Sequence, residues 1–171
     1  MGSSQSVVDL VTAAQINAKA YEKCISDSLK QMGGQALSAT QVEEVRMATT
    51  SLKIAAVDTF SIFEARMQHH FRRGPFSRKL KSLLLKSDQA DLAQRVHHYY
   101  LVINVLKHGK GASYRELLNT PTSPFVLKPS EDILPEDAPL LLIDVRVPDF
   151  FDGLTKTLLE AYHFLENRPR A

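Results

Sequence analysis

The chain has 171 residues, 44% of them hydrophobic and 23% charged, with a net charge of +2. This excludes disordered, collagen-like and disulfide-stapled classes, and leaves room for one domain with its own core. No apolar run approaches the roughly 20 residues that cross a bilayer, and the lone Cys24 has no partner for an internal disulfide, so a reducing, cytoplasmic setting is expected.

The first five residues read as disordered or tag-like. Gly2 and Ser6 fit a myristoylation pattern, but no basic cluster follows to supply a second membrane signal, so no membrane partner is expected. From Ser6 to Met32, Val7, Leu10, Val11, Ala14, Ala18, Tyr21, Ile25 and Leu29 recur at three-to-four spacing, which predicts a helix stopped by Gly33-Gly34. Cys24 falls inside it and reads as a small core residue. Thr40-Gln-Val-Glu43 has the form of a capping box and opens a second long helix, with Val45, Thr49, Leu52, Ala56, Phe60, Phe63, Met67 and His70 along one stripe. It ends at Gly74-Pro75. Pro75 then starts a third, shorter helix through Phe76, Leu80, Leu83 and Leu84 to about Lys86.

Asp88 is predicted to cap a fourth helix reaching His108, in which Leu92, Val96, Tyr99, Ile103 and Leu106 form one continuous seam. Gly109-Lys110-Gly111 breaks it, and Ser113-Tyr-Arg-Glu116 reads as a second capping box before a short helix over Leu117 and Leu118. Six of the eight prolines lie between Pro121 and Pro148, which makes 119–148 a connector rather than a helix. Within it, 125–128 and 140–147 have strand composition suited to a small two-stranded ribbon. Asp149 is predicted to cap a last helix that turns Phe150, Leu154, Leu158, Ala161, Tyr162 and Leu165 inward. The expected fold is mostly α: a single antiparallel helical bundle over 1–171, with a ribbon or extended connector before the last helix.

Charge is unevenly spread. Arg66 to Lys86 holds seven Lys or Arg, two His and no acid, whereas Pro129 to Asp152 holds seven acids and one base, Arg146. The basic stretch suits a phosphate-rich partner, a solvated helix face, or the acidic segment of the same chain. On the fourth helix, His97, Tyr100, Asn104 and His108 share a polar stripe roughly 120° from the seam. That stripe is either a site or the solvent side of the helix.

Other chemistry finds less footing. His69-His70, His97-His98 and the Glu160-x-x-His163 spacing suggest a metal, but bundle di-metal sites need a second Glu-x-x-His and further glutamates, so no metal or other cofactor is expected. No Gly-x-Ser-x-Gly elbow exposes a serine, and Cys24 reads as buried. Gly109-Lys-Gly-Ala-Ser113 lacks the spacing of a phosphate loop and follows a helix rather than a strand.

The segment from Tyr99 to Leu118, with Asn104-Val-Leu-Lys-His108-Gly109, resembles the third-helix signature of the HEPN superfamily. Nuclease members of that superfamily are helical bundles carrying Arg-Asn, three residues, then His. There the Arg and His face a groove between two protomers and assist attack of a ribose 2′-hydroxyl on the adjacent phosphate. The resemblance implies a homodimer through helix 88–108 and assigns candidate catalytic roles to Asn104 and His108. Ile103, however, stands at the arginine position, and no tyrosine follows closely behind His108.

The implied function is binding of RNA or a nucleotide-bearing partner, with metal-independent endoribonuclease activity weak or lost. Arg72, Arg73, Arg78, Lys79, Lys107 and Lys110 are the expected anion-binding residues. A regulatory module that docks another protein and has no catalytic site is the alternative.

Overall fold

The computed structural model describes residues 6–31, 35–120, 142–147 and 149–169. Among them are six α-helices: α1 (Val7–Lys30), α2 (Ala39–Met67), α3 (Phe76–Lys86), α4 (Ala90–His108), α5 (Ala112–Leu118) and α6 (Phe150–Glu166). The mostly-α bundle expected from the periodicity is the architecture found. Residues 142–147 form no continuous strand: Ile143 makes an isolated β-bridge, and the chain then turns at Val145–Arg146, where the Asp144 side chain accepts from the Arg146 backbone N–H at 3.0 Å. The rest of the expected ribbon, like the double-glycine stop after α1, lies outside the described residues.

Helices α1, α2, α4 and α6 make the four-helix core. α1 and α4 each pack on both α2 and α6, and α3 and α5 flank α4 from outside. α4 and α6 run antiparallel, because Arg95 near the start of α4 reaches Glu160 and Thr157, whereas Tyr99 one turn later donates to the Phe150 carbonyl at 2.9 Å. α1 and α2 form an antiparallel hairpin tied at its closed end by Gln41 Nε2 donating to Gln31 Oε1 at 3.2 Å. Leu52, Ala56, Phe60, Phe63 and Met67 of α2, with Leu154 and Leu158 of α6, are essentially sealed from solvent. These are positions of the predicted stripes. Tyr114 and Leu117 of α5 complete the outer layer, and the buried Tyr114 hydroxyl has no hydrogen-bond partner among the described residues.

Helix boundaries depart from the expected caps, each for an identifiable reason. α2 is capped by Ser38, not Thr40: Ser38 Oγ accepts from the Gln41 N–H at 3.2 Å, and Gln41 Oε1 accepts from the Ser38 N–H at 3.0 Å. Ser38-x-x-Gln41 offers the same reciprocal chemistry as Thr40-x-x-Glu43 two residues earlier, so the longer helix wins. Glu43 instead pairs with Arg46. α5 begins after Gly111, and Ser113 lies inside it, its hydroxyl accepting from Asn104 rather than capping. Asp149 sits at the N-terminus of α6 in the left-handed region (φ 74) and makes no side-chain cap bond. Pro75 immediately precedes α3 rather than belonging to it.

Asp88 is not the cap of α4 either; it closes α3. The Gln89 N–H donates to Leu84 O at 2.9 Å and the Asp88 N–H to Leu85 O at 3.3 Å, around an Asp88 with φ 58. This is the Schellman pattern, in which a left-handed residue just past the helix end lets the chain reverse, and glycine fits it best. Asp88→Gly is therefore expected to stabilise the chain by about 0.5–1 kcal/mol in thermal or urea unfolding, because it removes the strain of a left-handed non-glycine residue. Were Asp88 an N-cap, the same change would lower stability.

Cys24 is exposed, contrary to the core position expected for it. At about 100° per residue it lies a full step around α1 from Ile25, which takes the inward position. Leu29 is likewise largely exposed, because α1 is ending there.

Candidate functional site

The Asn104–His108 pair sits where α4 turns into α5. Gly109 takes φ 71 and ψ −145, a conformation essentially reserved for glycine, and its N–H donates to Val105 O at 2.8 Å, which stops the helix immediately after His108. The chain then folds α5 back along α4. Asn104 is half-buried and donates to Ser113 Oγ at 3.3 Å, while His97 and Glu116 pair at 2.6 Å. Tyr100 stacks near His97, with centroids 6.2 Å apart. Most of the polar stripe is thus covered by α5 of the same chain, and His108, Lys107 and Lys110 alone remain exposed at its end. Ile103 is 1% exposed and belongs to the core seam. The middle of this polar face of α4 is thus occupied in cis, and its His108 end is open.

The expected cations do not converge on His108. Arg72 shares a cleft with His69, His70 and Glu166, and Glu166 ends α6. Since α4 and α6 are antiparallel, His108 lies beyond Tyr99 in the opposite direction, about 20 Å along α4 from Arg95 at 1.5 Å per residue. The predicted site therefore divides in two. Arg72, Arg73, Arg78 and Lys79 are all exposed, and Lys107, His108 and Lys110, also exposed, stand at the far end of the bundle from Arg72. Gly74 makes the bend into α3 possible: its φ of +97 lies in the left-handed region, and the aliphatic chain of Lys79 lies over it.

A second cleft, of about 370 Å³, lies between α3 and α4 and was not singled out by sequence reasoning. Lys81 comes from α3, and Asp91, Arg95, His97 and His98 from α4. Arg95 is held by Asp91 at 2.9 Å and by Glu160. Burial opposes its charge, yet the hydrogen bonds to Glu160 and Asp91 prevail and hold the guanidinium above its ordinary range. Burial, reinforced by His97, pushes His98 below the ordinary imidazole value, so it favours the neutral form. A neutral imidazole beside cations suits an anionic ligand that needs both an acceptor and positive charge. The signal in the sequence was the Asp91, Arg95, His98 spacing on one helix face, which only the placement of Lys81 turns into a cleft.

The histidine pairs behave differently from one another. His97 is taken by Glu116, Glu160 by Arg95, and His163 stays exposed, so the Glu160-x-x-His163 spacing assembles no ligand group among the described residues. His70 Nε2 lies 3.0 Å from Glu166 Oε1. Comparison with family profiles, with curated proteins and with solved structures finds no match to this chain.

Proposed function

We propose that the chain is a HEPN-like helical bundle that binds RNA, or a nucleotide-bearing partner, with ribonuclease activity weak or lost. The basic surface carries this reading. Arg66 to Lys86 contains no acid, and Arg72, Arg73, Arg78 and Lys79 have no ion-pair partner among the described residues. Unpaired guanidiniums suit bidentate phosphate contacts, and a polyanion gains counterion release by binding such a surface. The nearby cleft of Lys81, Arg95, His97 and His98 falls within the size range that admits a small-molecule group. Against efficient cleavage stands Ile103 in the core, which leaves Lys107, Lys110 or Arg115 to substitute, with geometry less suited than a bidentate guanidinium at the motif position. With α5 over the middle of α4, a second copy would meet this chain at the exposed α4–α5 end rather than along the helix.

The test is a salt titration with a labelled single-stranded RNA, read by fluorescence anisotropy. Wild type should bind with an affinity that falls steeply with salt. Replacing Arg72, Arg73, Arg78 and Lys79 together by Gln should lower affinity at least about tenfold near 0.1 M salt, and flatten the log–log slope by roughly 0.7 per contact removed. Binding that is indifferent to salt and to these four charges ends the proposal. A second reading, docking of another protein, is favoured by an apolar cleft of about 400 Å³ between α1 and α2, where Ile54 and Ile62 are 57% and 43% exposed. Capture of a partner there would be nearly independent of salt.

A further inference from the structure

The end of the bundle where α2 and α6 finish gathers donors that the RNA-binding reading does not use. His69 and His70 occupy a 3-10 turn, Gln68–His70, that follows α2, and Glu166 closes α6. One nitrogen from each imidazole and one Glu166 oxygen lie within 4.8 Å of one another. His69 Nδ1 stands 2.8 Å from the Arg66 carbonyl oxygen. A carbonyl can only accept, so Nδ1 carries the proton and Nε2 keeps its lone pair. Holding an imidazole by one nitrogen so that the other presents a lone pair is how proteins orient metal-binding histidines.

We infer that His69, His70 and Glu166 form an open three-ligand site for a transition-metal dication of the zinc class. Two imidazoles and a carboxylate are a donor set suited to zinc, with a fourth position left for solvent. Calcium and magnesium are disfavoured, because they take oxygen ligands. With metal–ligand bonds of about 2.0–2.1 Å, donors around a tetrahedral ion stand about 3.4 Å apart. His70 and Glu166, at 3.0 Å, need a few tenths of an ångström to admit the ion. The His69 nitrogen, within 4.8 Å of the other two donors, must close by at most about 1.4 Å, within reach of a rotamer change at an exposed turn. Arg72 and Arg168 line the same cleft, of about 510 Å³, and oppose the charge of the ion, whereas Glu166 offsets part of it.

The experiment uses the full, tag-free chain and Zn2+ alone, by titration calorimetry with elemental analysis after dialysis. One equivalent should bind. His69→Ala, His70→Ala and Glu166→Gln should each weaken binding at least about tenfold with helicity unchanged by circular dichroism, since all three side chains sit at the surface end of the bundle. His163→Ala, on the same helix but outside the group, should bind as wild type does. Arg72→Gln should tighten binding, because one repelling charge is gone. Absence of bound zinc at stoichiometric concentrations overturns the site, as does an equivalent that survives all three ligand substitutions.

Discussion

Ile103→Arg is expected to unfold most of the chain instead of restoring a ribonuclease. The position is 1% exposed, within the seam that α4 turns toward its neighbours. Removing the isoleucine forfeits about 1.5–3 kcal/mol of apolar burial. The guanidinium that replaces it cannot shed its charge, and an uncompensated buried charge costs several kcal/mol more. Against a typical total stability of about 5–15 kcal/mol, that is most of the margin. Urea unfolding followed by circular dichroism should show a loss of about 4 kcal/mol or more, or no cooperative transition. Ile103→Val, which keeps the shape, should cost about 0.5–1.5 kcal/mol. A folded Ile103→Arg variant that cleaves RNA would mean position 103 can reach a phosphate, and the placement of that position in a sealed core seam would fall.

That position also shows how much of the molecule was legible beforehand. The spacing of Leu92, Val96, Tyr99 and Ile103 placed the seam of α4 on the face that is buried. That spacing and the polar stripe beside it leave the other positions unassigned, yet Leu101, Val102 and Val105 are buried as well. The unbroken run Leu101-Val102-Ile103 carried that information, since a helix apolar around most of its circumference is surrounded by others. Here α2 and α6 lie inside it, and α3 and α5 outside. Caps were harder to place. Ser38 and Thr40, or the two possible roles of Asp88, differ by local chemistry too similar to rank without the backbone angles. The site was least legible, because its pairs are distant in sequence: His70 with Glu166 and Arg95 with Glu160 are 96 and 65 residues apart. Periodicity says which face a residue takes on its own helix, and nothing about which residue of another helix it meets.

Gly153→Ala in α6 is expected to destabilise the chain, against the usual preference for alanine over glycine inside a helix of about 0.8–1 kcal/mol. A Cβ at Gly153 would collide with the Tyr99 hydroxyl from α4. That hydroxyl has little room to yield: Tyr99 is 5% exposed, and its O–H donates to the Phe150 carbonyl at 2.9 Å. Burial also holds the phenol well above its ordinary ionisation range, so it stays a donor. Overpacking of this kind costs about 1–3 kcal/mol and outweighs the propensity gain. Tyr99→Phe by itself should lose about 0.5–1.5 kcal/mol with the hydrogen bond. The ring carbon that bears the hydroxyl is 3.5 Å from the added Cβ, an ordinary contact, so removing the oxygen alone removes the collision. In the Tyr99→Phe background, Gly153→Ala should therefore become neutral or stabilising, with a coupling of at least about 1 kcal/mol in the double-mutant cycle. Additive losses would mean that α4 and α6 are not held at the separation this contact defines. The antiparallel pairing that sets His70 and His108 at opposite ends of the bundle would then need another explanation.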